Sequence, residues 1–122
     1  PMYCSAMGRA MLAYMPQTEV QKVLKASELQ KLTPETKIDL REINQELIHT
    51  RQKGYCILFD ELAESKSSLA APIFDRNRNP VAAISVSASA QSLSQPQRER
   101  ELAKAVMTAA GKISGKLGYY PK

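Results

Sequence analysis

The stretch "SLAAPIFDRNRNPVAAISVSAS", residues 68–89, limits what this chain can fold into more than any other. Two apolar runs flank a polar reversal, and the Asp, Asn and Pro residues of "DRNRNP" favour a tight turn, so the stretch predicts an antiparallel hairpin. On the strand Val81–Ala88 a period of two puts Ile84 and Val86 on one face and Ala83, Ser85 and Ser87 on the other. One face can pack, whereas the other is small and polar. On the neighbouring strand Ser68 and Ala70 share a face of the same small, polar kind. Such side chains leave volume, and hydroxyls can donate to a carboxylate or sugar oxygen, as a binding pocket requires. Solvent-facing strand residues would give the same pattern, because alternating sheets usually wet one face.

The flanking segments supply partners for the hairpin. Ser5 caps a predicted helix from Ala6 to about Met15, where Pro16 blocks continuation. A second helix starts near Pro16 or Gln17, carries Val20, Val23 and Leu24 on one face, and ends near Lys25 or Ala26. Ser27–Lys37 contains Pro34, shows no clean period and reads mostly as loop. Asp39 and Glu42 form a capping box for a third helix with Leu40, Ile43 and Leu47 on one face, His49 on its surface and Gly54 at its end. Tyr55–Phe59 reads as a buried strand and Asp60–Ser67 as a loop. Ser94, with Pro96 in the first turn and Gln97 completing a second capping box, opens a long helix. Its stripe is Leu102, Val106, Ala109, Ala110, Ile113 and Leu117, and Gly118 ends it. The order predicts an α+β domain, an antiparallel sheet flanked by helices. Three strands are few, and the chain opens at Pro1 almost inside a helix, so further strands are expected to precede it.

Length and composition exclude several functional classes. The 122 residues, 43% of them hydrophobic, fit one domain with one core. No apolar run approaches the roughly 18 residues of a membrane span and no export signal is visible, so a cytoplasmic chain with no membrane partner is expected. The net charge of +5 comes from lysines and arginines scattered among acids, the pattern of solvated helix faces rather than of a nucleic-acid groove. Cys4 and Cys56 are far apart and His49 is the only histidine, so neither a metal site nor a cofactor is expected. A thiol enzyme would need a base beside Cys4 or Cys56, and no catalytic residue is assigned. Met2, Met7, Met11 and Met15 read as core filler, and the helical spacing of Gly111 and Gly115 as incidental.

Several short segments, in order and at matching separations, carry a resemblance. "SAMGRAMLAY", "LTPETKID", "RQKGYCILFDEL", "SLAAPIFD", "PVAAISVS" and "AAGKISGKLGY" are similar to consecutive segments of the isocitrate-lyase-regulator (IclR-type) bacterial transcription factors. The resemblance runs almost end to end and implies a C-terminal effector-binding domain with a GAF-like fold. It also implies an upstream winged helix-turn-helix and the absence of the domain's first strands here. In the family the positions matching Ser68, Ser85 and Ser87 line the effector pocket, usually with a cysteine where Ser68 stands, and those matching Ala6 and Met7 contact ligand. The opening and closing segments look most like members that answer to sugar acids and their breakdown products. Leu58 and Phe59 stand where the family pattern is acidic, while Asp60 and Glu61 align with the acidic pair that follows.

The expected ligand-binding set is therefore Ala6, Met7, Gly8, Leu58, Ser68, Ser85 and Ser87. The amides of Ala6, Met7 and Gly8 lie at a helix start, whose dipole favours an anion, and Gly8 would allow close approach. The function expected is reversible binding of a small carboxylate metabolite, a sugar acid or 2-oxo acid, that modulates DNA binding by a homodimer or homotetramer. DNA contact itself would fall to the absent N-terminal domain. A GAF-like thiol enzyme and a dimerisation module without ligand are the alternatives.

Overall fold

The computed structural model describes residues 2–61 and 66–121. Among the described residues eight elements follow one another: α1 (Ala6–Leu12), α2 (Gln17–Ala26), α3 (Leu40–Lys53), β1 (Cys56–Phe59), β2 (Ser67–Phe74), β3 (Pro80–Ala88), α4 (Ala90–Leu93) and α5 (Pro96–Lys116). The strands form one antiparallel sheet in the order β1-β2-β3. Helix α5 lies on one face of it and α1 on the other, with α3 packed against α1 and β1. This is an α+β fold of the GAF-like kind.

The hairpin forms as its turn chemistry dictates. The Asp75 carboxylate accepts from the amides of Asn77 and Asn79 at 2.8 and 3.0 Å, and Arg78 takes a left-handed φ of 66°. Alternation then sorts β2 and β3 between two layers. Leu69, Ala71 and Ile73 join Ala103, Val106 and Ala110 of α5 in a dry core, with Ile84, Val86, Leu102, Tyr55 and Ile57 packed around it. On the opposite face Ala70, Cys56 and Leu58 meet Ala6 and Ala10 of α1. A third cluster, Tyr3, Cys4, Leu12, Ala13, Val20, Leu24, Ile43 and Leu47, seats the three N-terminal helices together.

The helix ends show which sequence signals prevailed. Ser5 caps α1 by accepting from the Gly8 amide at 3.0 Å, and Asp39 caps α3 by accepting from Arg41 at 2.8 Å. Gly54 ends α3 with φ 90°. The first helix stops at Leu12, short of Met15, because the amides of Tyr14 and Met15 turn to the carbonyls of Met11 and Leu12 three residues back. Ser94 does not cap the long helix. Ser89 instead caps the extra turn α4, Ser94 is its C-cap with the hydroxyl donating to the Gln91 carbonyl, and extended Gln95 leads into Pro96.

The buried stripes of α3 and α5 are also displaced from expectation. Leu40 is exposed and Thr50 joins Ile43 and Leu47 on the inner face of α3. On α5, Ile113 and Leu117 are 39% and 44% exposed, while Ala103 and Ser114 are buried. The Ser114 hydroxyl accepts from the Phe74 amide at 2.9 Å and donates to the Ala110 carbonyl at 2.8 Å, so a polar residue sits inside the contact fully bonded. Ser67, read as loop, is the first residue of β2. The rest of that expected loop at 62–65 lies outside the described residues. Among the described residues no helix is long and apolar enough to cross a membrane.

Candidate ligand-binding site

The register of the sheet sets the floor of the site. Leu58, Ser68 and Ser87 lie side by side across β1, β2 and β3, and Cys56, Ala70 and Ser85 form the next row on the same face. Polarity therefore rises across the strands, from Leu58 on β1 to the serines of β3. The hydroxyls of Ser68 and Ser87 are 3.2 Å apart and paired. Ser85 and Ser87 are exposed and Ser68 half-buried, so the hydroxyls are reachable.

The start of α1 stands over this floor and encloses a cavity of about 240 Å³. Ala6, Met7, Leu58, Ser68, Ser85 and Ser87 all line it, joined by Cys4, Ser5, Glu61 and Lys66. Six of the seven residues singled out in the sequence are thus brought together, from four separate elements. Gly8 is the exception. Its amide is taken by the Ser5 hydroxyl, and a Cβ there would meet the Met2 backbone at 2.3 Å, so close packing by itself requires the glycine. Met7, expected as filler, is 47% exposed.

One wall of the cavity is held by a buried ion cluster that the sequence reading missed. The Arg9 side chain, wholly buried, donates through Nε to the Tyr3 carbonyl at 2.7 Å. Its Nη1 and Nη2 donate to Glu61 Oε2 and Oε1 at 3.1 and 2.6 Å. The Lys37 amide reaches Oε1 at 3.0 Å and its ammonium Oε2 at 3.1 Å. Hydroxyls of Thr33 and Thr36 donate to the carbonyls of Asp60 and Glu61, so "LTPETK" is a latch across the exit of β1. Burial alone would push the Glu61 carboxyl up, but the hydrogen bonds from Arg9 and Lys37 and their charges outweigh it and hold the group below its ordinary range. The available signal was Arg9 itself, a charge whose helical neighbours Ala6, Leu12 and Ala13 are apolar and buried.

The thiols carry no sign of activation. Burial pushes Cys56 up to about 11 and raises Cys4 as well, the opposite of what a nucleophile needs at neutral pH. The His49 side chain is on the outer surface of α3. Among the described residues no group of histidine, cysteine and acidic side chains could hold a metal.

Residues 1–115 match the family of the bacterial transcriptional regulator IclR C-terminal domain. The chain belongs to the IclR family. It is 31% identical over 119 residues to the HTH-type transcriptional regulator KipR of Bacillus subtilis, covering 98% of this chain and 47% of that protein. It is likewise 31% identical over 120 residues to KdgR of Escherichia coli, covering 98% of this chain and 45% of that one. Among solved structures, Thermotoga maritima IclR superposes with a TM-score of 0.92 at 34% identity, over 97% of this chain and 47% of that one. The C-terminal domain of E. coli KdgR superposes with a TM-score of 0.91 at 31% identity, over 98% of this chain and 72% of that one. The chain thus corresponds to the C-terminal, effector-binding domain of IclR-type regulators, and its relatives are regulators, not enzymes. It spans about half the length of the full regulators it matches.

Proposed function

We propose that this IclR-type domain is a metabolite sensor. It binds a small carboxylate, a sugar acid or 2-oxo acid, in the cavity between α1 and the serine face of the sheet, without turning it over. The observation that carries the reading is the convergence of Ala6, Met7, Leu58, Ser68, Ser85 and Ser87 on one cavity. Concavity with a few convergent hydroxyls is what small-ligand recognition requires. In the same reading a winged helix-turn-helix upstream contacts DNA, the working protein is a cytoplasmic homodimer or homotetramer, and strands preceding Pro1 pair with β3. The open edge of β3, where Val81 is 48% exposed, supports that last element. Ligand shifts DNA binding only to the extent that it prefers one arrangement of the oligomer.

A thermal-shift screen of small carboxylates, followed by isothermal titration, tests the sensor. A ligand that binds only the folded state raises the midpoint. Ser85→Ala removes one hydrogen bond to a charged group, worth about 1.5–3 kcal/mol, and is expected to weaken binding roughly 10- to 150-fold. Unchanged affinity in Ser85→Ala and Ser87→Ala together would put the ligand elsewhere.

A further inference from the structure

Two charged side chains line the cavity among the described residues, and their circumstances differ. Glu61 is spent. Its two oxygens receive the four hydrogen bonds from Arg9 and Lys37, which fills the acceptor sites of a carboxylate. Lys66 makes no ion pair among the described residues and is exposed. It stands two residues before Ser68, so alternation puts it on the face that carries Ser68 and Ala70. The ladder that orients it continues one step past β2, since its carbonyl accepts from the Asp60 amide at 3.0 Å. Leu58, 6% exposed, stands across from Ser68 and one row from Lys66 on the same face, and the far row of the floor carries Ser85.

We infer that Lys66 is the counter-charge for the ligand's carboxylate and a specificity-determining residue of the cavity, selecting a small carboxylate over its uncharged ester. This rests on the reading of the cavity as a carboxylate site. The carboxylate and oxo oxygens are acceptors for the Lys66 ammonium and the hydroxyls of Ser68, Ser85 and Ser87. No other described residue of the cavity supplies a free positive charge, so removing this one lowers affinity without disturbing the fold.

Isothermal titration with pyruvate, 2-oxobutyrate, gluconate and the uncharged ester ethyl pyruvate tests this on the unmodified protein, Lys66→Met and Lys66→Arg. Pyruvate and 2-oxobutyrate are expected to bind the unmodified protein at least about tenfold more tightly than the ester. Lys66→Met is expected to weaken both 2-oxo acids about tenfold and to abolish the salt dependence of binding. Lys66→Arg keeps affinity within about threefold, the ester is indifferent to all the changes, and the melting midpoints stay together. Unaltered pyruvate and 2-oxobutyrate affinity in Lys66→Met overturns the role of Lys66. Pyruvate and 2-oxobutyrate binding no more tightly than ethyl pyruvate overturns the counter-charge while leaving a small-ligand sensor standing. If none of the three carboxylates binds the folded unmodified protein, the sensor reading itself falls, and this inference with it.

Discussion

The two faces of β2 are built from one alternating run, yet they serve opposite ends. Leu69, Ala71 and Ile73 are sealed against α5 in an apolar layer. Ser68, one residue out of phase, opens onto the cavity under α1, while Ala70 beyond it is buried against Ala6 and Ala10. Both helices pack on the sheet, but α5 has 21 residues and α1 only seven. Two layers made dry would leave no site, and two layers made open would leave too little buried surface to stabilise the sheet. The difference shows where stability is held in this fold and where it is given up for a cavity.

That contrast is most severely tested from the α5 side. Val106 is 6% exposed within the dry layer, so Val106→Asp sets an unpaired charge among apolar neighbours at a cost of several kcal/mol. Against the roughly 5–15 kcal/mol that stabilise a domain, the variant is expected not to fold. Circular dichroism and thermal melting read this directly. A native melting midpoint would mean that α5 does not seal the core.

On the α1 side the largest expected effect comes from charge rather than packing. Glu61→Gln leaves the Arg9 guanidinium buried without its partner, which typically costs about 3–5 kcal/mol. Protonation does the same more gently. Because the folded protein holds the Glu61 carboxyl below its ordinary value of 4.5, its contribution to stability is complete above that pH and is lost as pH falls through the lower folded value. Melting midpoints are therefore expected to drop on acidification below about pH 4.5, a drop to which Glu61 contributes in the unmodified protein alone. An equal acid response in Glu61→Gln would mean that other carboxylates govern it. This side also changes how Ala6 can be used as a probe. It is 4% exposed and packed on Cys56 and Leu58, so aspartate there would damage the fold as well as repel an anion.

How legible this was in the sequence follows from the range of the signals. The floor of the site was readable because period two in "PVAAISVS" is a local property, and the turn chemistry of "DRNRNP" fixes which strands pair. The caps at Ser5 and Asp39 are equally local. The register that aligns Leu58 with Ser68 and Ser87 is not local, and it is what makes a cavity of three separate residues. The ion cluster joins positions 9, 37 and 61, and no single segment displays it. Val106 and Ala110 lie on the inner face of α5 as their spacing predicts, but small Ala103 and Ser114 share that face and let the helix approach the sheet closely, while the larger Ile113 and Leu117, which size alone points inward, remain outside the contact. Ser94 misled for a related reason: a capping residue identifies an end, and Ser89 and Ser94 flank a helix of four residues that has almost no pattern of its own.

A smaller effect is expected from the thiols, both of which are buried on the α1 side of the sheet. Cys56 is buried among alanines and Leu58, and its thiol, pushed up to about 11 by burial, stays protonated near neutrality. At pH 8 a maleimide is expected to label Cys56 at the rate of unfolding rather than at the rate of a free thiol. Replacing Cys4 and Cys56 by serine should lower stability by about 1–3 kcal/mol for each hydroxyl left without a partner, with ligand affinity held within a few-fold. Rapid labelling of the folded protein would revive a chemical role for them.

The smallest stability effect is the most discriminating, because it separates an open face from a sealed one by a single atom. Ser87 is exposed on β3, and among the described residues its hydroxyl bonds only to that of Ser68, at 3.2 Å. Removing it strands no buried partner, since half-buried Ser68 can turn to water, and alanine fits the same pleat. Ser87→Ala is therefore expected to shift unfolding free energy by no more than about 0.5 kcal/mol, the usual range for a surface substitution. The same change on the opposite face would not be so mild: Ser114→Ala leaves the Phe74 amide without its acceptor and is expected to cost about 1–3 kcal/mol. Denaturant melts of the two variants side by side measure the contrast. Equal losses would mean that the serine face is as tightly built as the α5 face and has no room to admit a ligand. A near-silent Ser87→Ala that nonetheless weakens carboxylate binding assigns the hydroxyl to recognition, because nothing else in the fold depends on it.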